Sequence, residues 1–217
     1  MSRPVLIFDF DGTVALGHGP VFAYAAAVDE AAGLNGEMAS KAAEMIAAGT
    51  DNGAIDAYDL VRMLAVEAGA GPEALDLGYK VSRAQLGTDQ AAILAPIGLA
   101  AFLGQVDAER ILITNAPEDR LAEAITLLGL DGCFDRVLSS GGKPDGLGRL
   151  IDELLAADQK RRILCIGDIW RNDLEPAHAR GLDTALVGGW GSEKRPATYQ
   201  AADVAELLPQ IQAWVGQ

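Results

Sequence analysis

Four short apolar runs constrain this chain most: Val5–Phe8, Ile111–Ile113, Ile163–Ile166 and Thr184–Val187 are apolar at nearly every position rather than at alternate ones. A strand with one wet face alternates, so unbroken runs of this length belong to strands covered on both faces, as in a parallel sheet packed between helices. Arg136–Ser139 is a weaker fifth run. Helical periods lie between them. Leu121, Ala124, Ile125 and Leu128 follow the i, i+3, i+4, i+7 spacing of one helix face, and so do Leu147, Leu150, Ile151 and Leu154. Strands alternating with helices predict an α/β chain with a Rossmann-like parallel sheet core flanked by helices.

Residues 14–95 break that alternation. They show no strand pattern but helix-like segments at 20–32, 37–48, 53–69, 72–86 and 89–95. Val21, Tyr24, Ala25, Val28 and Ala32 form one apolar stripe, and Ala57, Leu60, Val61, Leu64 and Ala68 another. Gly33, the run from Gly49 to Gly53, and Gly71-Pro72 separate the segments. The pattern predicts an all-α domain, residues 14–95, inserted after the first strand of a core made of residues 1–13 and 96–217.

Composition narrows the partners. Half of the 217 residues are hydrophobic and 22% are charged, so a buried core is affordable and disorder as the dominant state is excluded. With 17 Lys and Arg against 31 Asp and Glu, the net charge of −14 repels nucleic-acid backbones and anionic membranes, so neither is an expected partner. The uncharged stretch from Gln90 to Val106 is broken by Pro96, Gly98 and Gly104, and reads as a hinge followed by a buried helix rather than a membrane span. Val5–Phe8 is too short for a signal peptide. Two cysteines, Cys133 and Cys165, make neither a disulfide framework nor a zinc site, and a cytoplasmic location is expected. Nothing in the pattern specifies an oligomeric state.

Polar residues follow the strands directly. Asp9-Phe10-Asp11-Gly12-Thr13 comes after the first and Thr114-Asn115 after the second; Lys143-Pro144 lies just past the third, and Gly167-Asp168 ends the fourth. The carboxyl ends of parallel strands are where α/β sheets build sites, so several carboxylates, a hydroxyl and an ammonium should converge. Carboxylates gathered this way repel one another unless a cation intervenes, and an all-oxygen cluster suits Mg²⁺ partnered with a phosphate. One aspartate can attack phosphorus, and a second, two residues on, can move protons at the leaving oxygen. Gly12 lets the backbone approach a phosphate, to which the Thr114 hydroxyl and Lys143 can donate.

These residues resemble the motifs of the haloacid dehalogenase superfamily, phosphatase branch, phosphoglycolate-phosphatase-like, in their order: Asp9-Phe10-Asp11-Gly12-Thr13, Thr114-Asn115, Lys143-Pro144-Asp145, and Gly167-Asp168 with Asp173. The resemblance spans essentially the whole chain, with residues 14–95 in the place of the helical cap. It implies a phosphoric monoester hydrolase acting on a small-molecule phosphate ester. Asp9 would be the nucleophile and Asp11 the general acid and base. Gly12, Thr114, Asn115 and Lys143 would hold the phosphate. Mg²⁺ would be bound by the Asp9 carboxylate, the Asp11 main-chain carbonyl and Asp168, with Asp173 close by. Asp11 favours a phosphatase over a dehalogenase, because displacing halide requires no protonation. The open alternatives are a phosphomutase and a non-enzymatic phospho-accepting signalling module.

Other residues receive plainer readings. His18, between Gly17 and Gly19, is expected to be a solvated hinge histidine, and His178 a surface residue. Asn172 is read as a helix cap and Asp173 either as a metal-site or lysine-orienting residue or as a helix N-terminal acid. Trp170 and Trp190 could border the entrance or simply pack. Cys165, in a core strand, is expected to be inert. The four bases of residues 14–95, Lys41, Arg62, Lys80 and Arg83, are too sparse to imply a polyanionic substrate.

Overall fold

The computed structural model describes residues 3–188 and 195–217, so Trp190 lies outside the described residues. Six strands form one parallel sheet: β1 (Val5–Phe8), β2 (Glu109–Ile113), β3 (Arg136–Leu138), β4 (Ile163–Gly167), β5 (Asp183–Val187) and β6 (Tyr199–Ala201). The spatial order is β3-β2-β1-β4-β5-β6. The chain therefore winds outward from β1 in one direction and then in the other. The switch point falls between β1 and β4, where such sheets open a crevice at their carboxyl ends.

The unbroken apolar runs do what their pattern requires. Leu6, Phe8, Leu112, Leu164 and Ile166 face one side with Leu99, Leu103, Leu121, Leu207 and Ile211. Val5, Ile7, Ile111, Ile163 and Cys165 face the other with Leu147, Leu150, Ile151 and Leu154. The helices on these faces are α5 (Leu99–Gln105), α6 (Leu121–Leu127), α7 (Asp145–Ala157), α8 (Glu175–His178) and α9 (Val204–Val215). Because Gln90–Val106 resolves into a bend followed by α5, with Leu99 and Leu103 fully buried, its apolar character is that of a core helix. Among the described residues no helix is long and apolar enough to cross a membrane.

Between β1 and α5 stand four helices, α1 (Gly19–Ala32), α2 (Glu37–Ala47), α3 (Ala57–Glu67) and α4 (Pro72–Ala84). They share an apolar cluster of their own around Val21, Tyr24, Val28, Ala42, Leu60, Val61 and Leu64. Two expectations are corrected here. Residues 89–95 are not helical: 89–90 form a turn, Ala91 bridges to Leu86, and Leu94 exchanges hydrogen bonds with Leu16, N to O at 2.8 and 2.9 Å. Pairing between the two connecting segments outcompetes a short helix that Pro96 would end in any case. Helix α3 starts at Ala57 rather than 53, because Asp56 Oδ1 accepts the Asp59 N–H and fixes the N-terminus there. The edge strand β6 carries no apolar run, and so gave no sequence signal.

Close packing of α1 on α4 depends on Gly78, where a Cβ would lie 2.4 Å from Val28 Cγ2 and 2.9 Å from the Val28 nitrogen. Gly78→Ala should therefore destabilise the protein by about 1–3 kcal/mol despite its better helix propensity, the usual cost of overpacking. Denaturant unfolding would check this, and a gain in stability would show that the two helices can separate freely.

Candidate active site

Register assembles the site. Phe8 pairs with Leu112 on one side and Ile166 on the other, so Asp9 emerges level with Ile113 and Gly167. Thr114 and Asp168 follow one residue further on, and the Asp9 N–H closes the ladder on the Ile166 carbonyl at 2.9 Å. Next the chain turns sharply: Gly12 takes φ +87°, and its N–H donates to the Ala15 carbonyl at 2.9 Å. Only glycine fits, because a Cβ there would lie 2.4 Å from Asp168 Oδ2.

Lys143 is the hub. Its ammonium, almost wholly buried, donates to Asp9 Oδ1 at 2.5 Å and to Asp173 Oδ1 at 2.6 Å. Burial opposes a charge at Lys143, but Asp9 and Asp173 outweigh it and push its pKa up, so it stays an ammonium. Asp173 lies on a π-helical turn, Trp170–Leu174, and its Oδ2 accepts the Ile169 N–H at 2.9 Å. Asp173 thus orients the lysine, and its own carboxyl is raised to about 6 by burial and by Asp9. Asn172 sits inside this turn rather than capping a helix, a correction to its expected place: Ile169 occupies the N-cap position.

Thr114 is buried, and its hydroxyl accepts the Ala116 N–H at 3.0 Å. Asn115 holds Lys143 from behind: its Oδ1 accepts the Lys143 N–H at 2.7 Å, and its Nδ2 donates to the Lys143 carbonyl at 3.1 Å. His18 is exposed beside Phe22 and borders the cavity described below; His178 is exposed against Trp170. Cys165 is fully buried and its thiol is pushed up by desolvation, which leaves it inert.

The donor set fits a hard cation. Carboxylate oxygens of Asp9, Asp168 and Asp173 all lie within 4.8 Å of one another. Asp168 Oδ1 is buried without a hydrogen-bond partner. Burial, Asp9 and Asp173 raise its carboxyl well above the usual range, as expected where acids share a site and no cation separates them. An orphaned anionic oxygen among all-oxygen donors is what Mg²⁺ would satisfy.

Arg83 and Tyr58 were missed as site residues. Arg83 comes from α4 and is 1% exposed; its Nη1 donates to Asp11 Oδ1 at 3.1 Å and contacts Oδ2 at 3.4 Å. A signal existed: Arg83 stands on the stripe Leu75, Tyr79, Leu86, where an arginine has no reason to be unless something pairs with it. Desolvation raises the Asp11 carboxyl, Arg83 draws it back, and Asp9 raises it again. Tyr58 carries a buried hydroxyl near this pair.

No family model matches the chain, and no curated protein matches it. Solved structures do. A predicted phosphoglycolate phosphatase from Haemophilus somnus is 17% identical, with TM-score 0.64, over 96% of this chain and 98% of its own. A Bacillus subtilis protein, YfnB, named as a hydrolase of the haloacid dehalogenase family and solved with magnesium bound, is 17% identical, with TM-score 0.63, over 97% and 99%. A Thermotoga maritima protein named as a candidate β-phosphoglucomutase is 16% identical, with TM-score 0.58, over 97% and 99%. This chain has the fold of the haloacid dehalogenase-like hydrolases. The fold that the motif resemblance implied is the fold observed.

Gly12→Ala should weaken Mg²⁺ binding by about 10–100-fold, the usual cost of disturbing the support of a metal ligand. Calorimetric titration of folded protein would check this. Unchanged affinity would show that Asp168 can move aside without loss.

Proposed function

We propose that the chain is a Mg²⁺-dependent phosphatase of the haloacid dehalogenase superfamily, hydrolysing a small-molecule phosphomonoester through an aspartyl-phosphate on Asp9. What carries the reading is the buried ammonium of Lys143 held between Asp9 and Asp173, with Asp11 two residues along the chain at the sheet's switch point. A nucleophilic carboxylate facing a phosphate dianion must be neutralised as it attacks, and this arrangement fixes a cation beside it in advance.

Asp9 attacks phosphorus, the bond to the ester oxygen breaks, and Asp11 gives that oxygen its proton. Water then attacks the same phosphorus, Asp11 takes the proton back, and the bond to Asp9 breaks to release inorganic phosphate. The raised pKa of Asp11 suits the first half of this cycle and its pairing with Arg83 the second. Lys143, the Thr114 hydroxyl and backbone N–H groups around Gly12 hold the phosphoryl oxygens. Asp9, Asp168 and the Asp11 carbonyl would hold Mg²⁺, with Asp173 beside them; when bound, the ion supplies charge that offsets the crowded oxygens and orients the phosphate. The helical insertion serves as the cap over the leaving group.

Asp9→Asn should abolish phosphate release from p-nitrophenyl phosphate, because an amide cannot form the ester intermediate. A wild-type rate in this variant would eliminate the covalent route, and interconversion of sugar phosphates by the intact enzyme without phosphate release would assign it to the mutases instead.

Asp11→Asn should separate substrates by leaving group. Alkyl phosphates need a proton at the departing oxygen, so their hydrolysis should slow by about 10²–10⁴-fold, the usual contribution of a placed acid–base group. With p-nitrophenyl phosphate the first step should survive and the second should stall, giving a burst of p-nitrophenol followed by a slow steady state. Rapid-mixing kinetics on both substrates check this; equal losses without a burst would reduce Asp11 to a structural role.

A further inference from the structure

A cavity of about 400 Å³ lies at the mouth of the site, with Asp11, Gly12 and Asp168 on the core side and Asp51, Asp56 and Tyr58 on the insertion side. Its charged lining is one-signed. Among the described residues, the ionisable side chains that line it are Asp11, Asp51, Asp56, Asp168, His18 and Tyr58, with no Lys or Arg. Arg83 lies outside that lining, and its charge is paired with Asp11. The two insertion acids are fixed in place by backbone: Asp51 Oδ1 accepts the Gly53 N–H at 2.8 Å, and Asp56 Oδ1 accepts the Asp59 N–H at 2.7 Å. Tyr58 stands in the cavity wall, its hydroxyl buried near Arg83 and, among the described residues, in no hydrogen bond of good geometry. A buried hydroxyl so loosely held gains from a ligand oxygen or nitrogen that reaches it.

We propose that the insertion selects leaving groups that carry hydrogen-bond donors and no negative charge of their own, a hydroxyl-rich or an amino alcohol, and excludes phosphate esters whose alcohol bears a carboxylate or a second phosphate. The inference rests on the phosphatase reading and names its substrate class. Carboxylates of Asp51 and Asp56 accept O–H or N–H groups of such an alcohol, and Tyr58 takes part from the side. An anionic alcohol would enter the same space against the carboxylates of Asp51 and Asp56, with no Lys or Arg among the described lining residues to offset them. Burial pushes the Tyr58 phenol up, so it remains a donor throughout.

The test is a substrate panel run with Mg²⁺: glucose 6-phosphate, glycerol 3-phosphate and phosphoethanolamine against phosphoglycolate, 3-phosphoglycerate and fructose 1,6-bisphosphate, with p-nitrophenyl phosphate as reference. At low ionic strength kcat/KM for the uncharged and amino alcohols should exceed that for the anionic ones by about tenfold or more, and salt should narrow the gap. Asp51→Asn/Asp56→Asn keeps both backbone-accepting oxygens, so the turns and the α3 N-terminus survive. In that variant the ratio of neutral to anionic substrates should fall at least about threefold, since two repulsive charges are gone. Loss confined to phosphoethanolamine would assign the site to amino alcohols; equal retention of the sugar and amino esters would assign it to hydroxyls. A wild-type preference for hydroxy-acid phosphates, or a ratio unmoved by both the variant and salt, overturns the inference while leaving the phosphatase reading intact. No turnover of any ester, the reference included, overturns that reading and the inference together. Should the double variant not fold, the salt dependence of the unmodified enzyme decides.

Discussion

One buried ammonium organises this molecule. Lys143 belongs to the segment entering α7, Asp9 to the end of β1 and Asp173 to the turn after β4, and the three meet out of solvent at distances of 2.5 and 2.6 Å. Removing Lys143 would leave two buried carboxylates facing each other without their cation, which is among the more damaging single losses a fold can suffer. The surroundings are arranged to prevent it. Asn115 grips the Lys143 backbone from both its amide atoms, and the Ile169 N–H fixes the far oxygen of Asp173. Charge balance and position are therefore set by the same few contacts.

The second carboxylate of the pair is governed from elsewhere. Asp11 receives Arg83, which lies 72 residues away in sequence and belongs to the helical insertion. Core and insertion thus share the site: the core holds Asp9 against Lys143, and the insertion places a guanidinium on Asp11. Two of the three Arg83 nitrogens, Nε and Nη2, make no hydrogen bond of good geometry among the described residues, with the buried Tyr58 hydroxyl nearby. Acids stand at both ends of the cavity, and this guanidinium lies behind Asp11, outside the lining.

Much of this was legible in the sequence, and the reasons are physical. Short unbroken apolar runs alternating with helical periods suit doubly covered strands, so Val5–Phe8 and Ile163–Ile166 pointed to a parallel core, with the polar residues right after them at one edge. That local logic located Asp9, Asp11, Lys143 and Asp168 together without tertiary information. It stopped where identity depends on a distant partner. Arg83 read as one sparse base among four, because only the folded chain brings it to Asp11. Residues 89–95 read as helical because their pairing partner, Leu16, lies on the other side of the insertion. Asn115 was expected at the phosphate, and its side chain instead meets the backbone of Lys143 in this structure, a contact with no signature in composition or spacing.

The hydrogen-bonded pair Leu16–Leu94 has a consequence for the fold's history. Both segments that carry the chain out of the core and back again run side by side, so the insertion begins and ends at a single point. As far as the sheet is concerned, everything between those residues is equivalent to a tight hairpin. Its length, helix count and lining can then be exchanged wholesale without shifting the register of any strand. The sheet and the helices inserted into it can diverge at independent rates, and a single scaffold can be refitted by changing only what is threaded through that doorway.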